Sequence, residues 1–213
     1  MTQDDVPEVA RVERRCFSNP WPSAAYRREL RLPDQNYYLV VRQSPADGIS
    51  PAGDYPNGHG RGRPRVLPRL RLPPFARGDR GAKAGSAGPA VGFAGMWHLY
   101  DEAHITTIGV DPAHRGHGLG EWLLAELIAE AVVRGAGWLT LEVRVSNVTA
   151  QRLYAKYGFT VKGTRHAYYS DDHEDALIMT TETLGTERMK ARVERLREAL
   201  DASPAPVPPD GAD

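Results

Sequence analysis

Apolar and polar positions along this chain fall into blocks of two different periods. Short apolar or β-branched runs at Tyr37–Val41, Val91–Trp97 and Ile105–Val110 read as strands. Leu139, Leu141 and Val143 alternate with Thr140, Glu142 and Arg144, a strand with one apolar and one polar face. Helical spacing takes over at Val6, Val9, Val12 and Cys16, then at Leu123, Leu124, Leu127, Ile128 and Ala131, and finally at Met189, Val193, Leu196 and Leu200.

The pattern predicts a first helix from Asp4 to Phe17, capped by Asp4 or Asp5, with Pro7 in its first turn, where the missing N–H does little harm. Asn19-Pro20-Trp21-Pro22 breaks it, and Ser23 is expected to cap a second helix reaching about Leu32. Strands follow at Asn36–Arg42 and Ala90–Tyr100, the latter turning at Asp101-Glu102 into the His104–Val110 strand as an antiparallel hairpin. A long helix to about Arg134, the Trp138–Arg144 strand and a short helix opened by Ser146-Asn147 come next. Val161–Arg165 and Ala176–Thr181 look like a closing antiparallel pair, and Glu187–Leu200 a last helix.

Between the first two strands the periodicity vanishes. Residues 44–89 hold eight prolines, nine glycines, seven Arg and one Lys against three Asp, a composition that buries too little to offset its ordering entropy. It reads as a disordered insertion in a hairpin, where added length is tolerated. Arg61-Gly62-Arg63-Pro64-Arg65 could contact RNA or a ribosomal surface, though a solvated basic linker is the preferred reading. Residues 202–213, rich in Pro, Ala and Asp, read as a disordered tail.

The 213 residues suffice for one domain, placed at 1–182, with the helix at 183–201 as an addition. Lys plus Arg equals Asp plus Glu at 27 each, so net charge points to no polyanionic partner. The lone Cys16 excludes an internal disulfide framework and a Cys-based zinc cluster, and no metal is expected. No run approaches the roughly 18 apolar residues of a spanning helix and no signal-peptide pattern opens the chain, which suits a cytoplasmic protein.

Two features carry chemistry. Gly116, Gly118 and Gly120 stand between a strand and a helix, where backbone can approach a ligand closely and the helix's first N–H groups lack internal partners. Such a junction suits a phosphate; a tight turn with nothing bound explains the glycines equally well. Glu142, in the middle of a strand, needs either an arginine partner or a task as a base lining a cleft.

Arg115-Gly116-His117-Gly118-Leu119-Gly120 resembles the pyrophosphate loop of the GCN5-related N-acetyltransferase (GNAT) superfamily. Leu141-Glu142-Val143-Arg144, Ser146-Asn147, Ala150, Leu153-Tyr154 and Gly158-Phe159 are similar to one branch, the ribosomal-protein alanine N-acetyltransferases of the RimI type. Tyr168-Tyr169 with Glu174-Asp175-Ala176, Ile178 and Met179 looks like that branch's last strands. The resemblance spans roughly residues 4–43 and 90–182.

It implies a mixed α/β fold with a central, mostly antiparallel sheet splayed at the cofactor site, helices on both faces and the family's first strand missing. It implies acetyl-CoA as co-substrate, with Ile108, Gly109 and Val110 on the pantetheine arm and Arg115, Gly116, His117, Gly118, Leu119, Gly120 and Glu121 at the pyrophosphate. Asn147 matches a cofactor-binding residue or serves only as a helix cap; Tyr154 matches the acid for the CoA sulfur or is a core aromatic. Glu142 matches the base. Trp21, Trp97, His98, Tyr168 and Tyr169 are placed on the acceptor side, Trp21 with a core role as the alternative. The implied acceptor is the N-terminal alanine of a ribosomal protein; lysine side chains or small amines are the second possibility, and a non-catalytic acyl-CoA-binding regulator the third.

Overall fold

A computed structural model of the chain describes residues 1–43, 75–77 and 88–202. Its elements are α1 (Val6–Cys16), α2 (Ser23–Glu29), β1 (Asn36–Gln43), β2 (Phe75–Arg77), β3 (Ala90–Leu99), β4 (Glu102–Val110), α3 (Leu119–Val133), β5 (Trp138–Arg144), α4 (Val148–Lys156), β6 (Phe159–Arg165), β7 (Ala176–Thr181) and α5 (Glu187–Ala202). The strands form one sheet in the order β2-β1-β3-β4-β5-β7-β6, antiparallel throughout except for β4 beside β5.

Side chains of β1 show how the sheet is covered on both faces. Tyr38 and Val40 join Val6, Val9, Val12, Tyr26 and Phe93 in a cluster under α1 and α2. Leu39 and Val41, pointing the other way, join Leu123, Leu124, Leu127 and Ile128 of α3 together with Leu139, Leu141 and Val143. A run apolar on both faces is what a strand between two helical layers requires. The β3–β4 hairpin fits tightly to these layers. A Cβ at Gly95 would stand 2.1 Å from the Tyr38 ring, so only glycine leaves room for it.

Local chemistry corrects the sequence reading at several ends. Pro22, not Ser23, occupies the N-cap of α2; Ser23 is its first helical residue. The helix stops at Glu29 because the next bonds, Arg31 N–H to Arg28 O and Leu32 N–H to Glu29 O, are the tighter three-residue kind. Asp5 stands at the N-cap of α1 but makes no cap bond there. Its carboxylate instead accepts from Thr2 N–H at 2.6 Å and from Arg42 at 2.6 Å.

No strand precedes α1 among the described residues, and the outer edge of β1 is taken by Phe75–Arg77. Those three residues fall inside the stretch read as unstructured. Pairing them with Val41–Gln43 satisfies an edge that would otherwise present open amides and carbonyls. The remaining insertion residues, 44–74 and 78–87, and the tail at 203–213 lie outside the described residues, as does the Arg61–Arg65 cluster.

α5 lies against α3. Met189 is buried, Val193, Leu196 and Leu200 pack on the α3-side cluster, and Arg197 donates to Glu126 at 2.6 Å. Leu200 reaches the turn ahead of α3: its Cδ2 would be 3.8 Å from a Cβ at Gly118. A helix integrated in this way contributes to the stability of the whole domain. Met189→Ala should lower unfolding free energy by about 3 kcal/mol, read by urea denaturation. A helix that merely awaits another molecule would leave the midpoint where it was.

Candidate active site

β4 and β5 pair only from Glu102–Trp138 to Ile105–Leu141. Beyond that point β4 keeps β3 as far as Val110, and β5 keeps β7 as far as Arg144. The register of β3 on β4 shifts between Gly95 and Met96, which leaves Thr106 as the extra residue at the place where the strands part. A cavity of about 660 Å³ opens there. Ile108, Glu142, Asn147 and Tyr154 line it together with Trp21, Trp97, Tyr168, Tyr169 and Asp171.

The Glu142 side chain is 7% exposed and has both oxygens engaged. His104 Nε2 lies 2.9 Å from Oε2, and Arg165 lies 3.2 Å from Oε1. Hydrogen bonding from His104, helped by the charge of Arg165, holds its carboxyl below the usual range despite burial. Glu142 is therefore both a paired carboxylate and a cavity-lining one. Tyr154 packs on Phe159 with ring centroids 5.8 Å apart, and burial pushes its phenol well above the ordinary range, so it keeps its proton at neutral pH. Asn147 caps α4, its Oδ1 accepting from Ala150 N–H at 3.1 Å, while the residue also lines the cavity.

The aromatic part of the lining is built from side chains that hold one another. Trp21 and Trp97 lie 6.4 Å apart, and Trp97 Nε1–H donates to Glu29 at 3.0 Å. Trp21 also packs on Tyr26 at 5.8 Å, so it serves core and cavity together. Tyr168 and Tyr169 meet edge to face at 5.2 Å on the loop between β6 and β7. Arg144 organises that loop: it binds Asp171 at 2.7 Å, Asp172 at 2.8 Å and Glu174 at 2.9 Å, and its guanidinium stands 3.8 Å over the Tyr169 ring. The loop then reaches the segment after α1, where Ser18 donates to Asp171 and Asn19 to Ser170 at 3.1 Å. Two loops thus meet over one end of the cavity.

The glycine loop follows directly from β4. Gly116 and Gly118 have φ of 80° and 77°, left-handed values that only glycine adopts at no cost. Gly118 is the N-cap of α3, and the helix's first bond runs from Trp122 N–H to Gly118 O at 2.9 Å. The amides of Leu119, Gly120 and Glu121 stand ahead of that ladder. A Cβ at Gly116 would meet nothing within 4 Å, so its surroundings are open. Gly109 is held by crowding instead: a Cβ there would come within 2.6 Å of the Phe93 ring. Arg115 Nε–H and Cys16 Sγ–H both donate to Val110 O, at 3.1 and 3.2 Å.

Several expected residues take narrower parts than the sequence suggested. The Leu119 side chain is in the core, leaving only its amide for a ligand. The Glu121 carboxylate is engaged by Lys156 and by Tyr157 O–H, and His117 Nδ1 lies 3.3 Å from His114 O. His98 is not among the cavity-lining residues, and its N–H donates to Gln35 O; Gly109, Val110 and the loop from Arg115 to Glu121 lie outside that lining as well. Sequence reasoning missed His104, Arg165 and the organising role of Arg144. In the parallel register His104 faces Thr140, two residues before Glu142 on the same face, a diagonal neighbour that becomes visible only once the β4–β5 register is known.

Residues 69–159 match the family model described as Acetyltransferase (GNAT) family. The chain is 31% identical over 179 residues to a putative ribosomal protein bS18-alanine N-acetyltransferase of Bacillus subtilis (strain 168), covering 84% of this chain and 90% of that protein. It is 32% identical over 185 residues to the N-alpha-acetyltransferase RimI of Mycobacterium tuberculosis, covering 84% and 87%. Among solved structures it is similar to the ribosomal-protein-S18-alanine N-acetyltransferase from Escherichia coli, with a TM-score of 0.57, 27% identity and coverage of 88% and 94%.

Arg144→Gln should release the Tyr168–Asp175 loop, and hydrogen exchange of its amides should quicken several-fold while the core stays protected. Arg144 holds the carboxyls of Asp171 and Glu174 below their usual range. Their stabilising effect is therefore present above the ordinary value of about 4. It is lost only as pH falls through the lower folded-state values, so wild-type loop protection, corrected for intrinsic exchange, should outlast that pH.

Proposed function

We propose that this chain, which belongs to the acetyltransferase (GNAT) family, acetylates the α-amino group of a protein's N-terminal residue, alanine of a ribosomal protein by the kinship of its relatives. The observation that carries the reading is the cavity where β4 and β5 part, which brings Glu142, Tyr154 and Asn147 to one space under the joined loops. A chain end can enter beneath such a roof more readily than a mid-chain residue. Magnitudes agree: freeing an α-amine of its proton at pH 7 costs about 1 kcal/mol, against roughly 4–5 for a lysine.

Acetyl-CoA would supply an activated acyl thioester. The residues suit it on two counts. The inner edge of β4 from Thr106 to Val110, released from β5, offers strand amides and carbonyls to a neutral amide-bearing arm. Gly116 and Gly118, with the amides of Leu119, Gly120 and Glu121, offer unpaired donors at the positive end of a helix to a pyrophosphate. Glu142 draws the acceptor ammonium in and helps remove its proton. Tyr154, still protonated, provides for the departing sulfur.

Glu142→Gln should cut peptide acetylation by at least about a hundredfold while acetyl-CoA affinity stays nearly constant, measured by steady-state kinetics and calorimetry. The acceptor assignment is tested by release of CoA with peptides beginning in Ala, Ser or Met and with an internal lysine. Turnover with the Ala peptide is expected, and turnover confined to lysine or small amines overturns the assignment. Gly118→Val, forced into left-handed backbone, should weaken acetyl-CoA binding about tenfold, read by calorimetry.

A further inference from the structure

The carboxylate of Glu142 is not alone in the cavity wall. His104 lies on β4 directly opposite Trp97 of β3, with the two rings stacked at 6.1 Å and 30°. That stack fixes the plane of the imidazole, and Nε2 points at Glu142 Oε2 across 2.9 Å. Opposite an anion at that distance Nε2 carries a hydrogen, so in the neutral ring Nδ1 holds the lone pair. The His104 side chain is 28% exposed and lines the cavity.

Glu142 is meanwhile a weak resting place for a proton. Its Oε2 is bonded by His104 and its Oε1 is ion-paired with Arg165, and both groups favour its charged form. A proton placed on the ring instead turns a neutral-to-anion contact into a charge-assisted one, without disturbing Arg165. We propose that His104 is the proton acceptor of the transfer reaction and that Glu142 orients it, the two taking up one proton as a unit. This rests on the α-amino reading of the acceptor.

The step balances. An N–H bond of the acceptor ammonium breaks, leaving its electron pair on nitrogen, and an N–H bond forms at His104 Nδ1. The freed amine attacks the acyl carbon. As the C–S bond breaks, the second amine proton passes to sulfur by way of Tyr154. The imidazolium returns its proton to solvent, so one proton is released per turnover.

The other titratable or charged groups near the ring come from several elements. Arg165 of β6 touches Glu142, and Tyr168 and Tyr169 lie on the loop that follows β6. Glu13 of α1 lines the same cavity, and Glu29 of α2 holds the far side of the stacked Trp97. None of these stands at hydrogen-bond distance from the ring, whereas Glu142 does.

The test uses the full chain and two readouts. Ring-nitrogen NMR, with the His104 signal identified by its loss in His104→Gln, should show Nε2 carrying the hydrogen of the neutral ring, a tautomer that Glu142→Gln should no longer favour. With an Ala-initiated peptide, His104→Gln, which keeps a donor towards Glu142, should lose at least about tenfold in kcat/KM and change the shape of its pH profile, at unchanged Tm. His104→Phe, which keeps the stack alone, should do no better. A His104 tautomer indifferent to Glu142→Gln, or a His104→Gln enzyme with the wild-type rate and pH profile, overturns the proposal. If only small amines are acetylated, the acceptor assignment fails, and the unit stands provided His104→Gln lowers that turnover equally.

Discussion

The parting of β4 from β5 after Ile105–Leu141 is the constraint on which the rest of the structure depends. Two neighbouring strands can separate without fraying only if each is held on its other edge. β3 holds β4 to its last residue, Val110, and β7 holds β5 to its last residue, Arg144. The bulge at Thr106 adds local twist where the pairing stops. Polar backbone groups on the two inner edges thereby face a cavity, where a ligand with amides of its own can satisfy them. Along β4 the cavity lining ends at Ile108, and helix α3 begins at Leu119, nine residues past the end of β4 at Val110.

The opposite end of the cavity is held by charge. Arg144 sits at the last position of β5 and gathers three carboxylates and the face of Tyr169. The loop it anchors contains Ala167 and His173 at φ of 48° and 57°, unusual for residues with a Cβ. Bonds from Ala167 N–H to Asp175 at 2.8 Å and from His173 N–H to Tyr169 O at 2.8 Å hold those conformations. Cavity-lining tyrosines on so tight a turn are positioned by the strand beneath them as well as by their own segment.

Much of this could be read from the chain because it is local. Glycines between a strand and an amphipathic helix state their geometry in sequence, and Gly116 and Gly118 have the positive φ that such a junction requires. The alternation around Glu142 announced a polar face before any partner was known. What stayed hidden is long-range. His104 and Arg165 come to Glu142 from separate strands, and their meeting depends on registers that periodicity does not specify. Phe75–Arg77 lies in a stretch whose composition argues against order, yet an open sheet edge supplies three residues' worth of pairing from outside. His98 lies outside the cavity lining although its neighbour Trp97 is in it, a difference that adjacency in sequence does not reveal.

A chain with 27 cationic and 27 anionic side chains has no overall field, but its cavity is far from neutral. Asp171, Asp172 and Glu174 exceed the single charge of Arg144 by two, and Glu142 and Glu13 lie further in. Within a Debye length of about 8 Å such a rim attracts an ammonium group. Attraction alone would oppose the chemistry, because carboxylates that bind an ammonium also favour keeping its proton. Burial weakens that opposition at Glu13, whose carboxyl is pushed up towards its neutral form, and Arg165 weakens it at Glu142 by sharing the charge. An imidazole beside Glu142 resolves the rest, since it offers the proton a site that the same carboxylate stabilises once the amine has given it up. The groups that draw the acceptor in are thus separated by one residue's reach from the group able to disarm its charge.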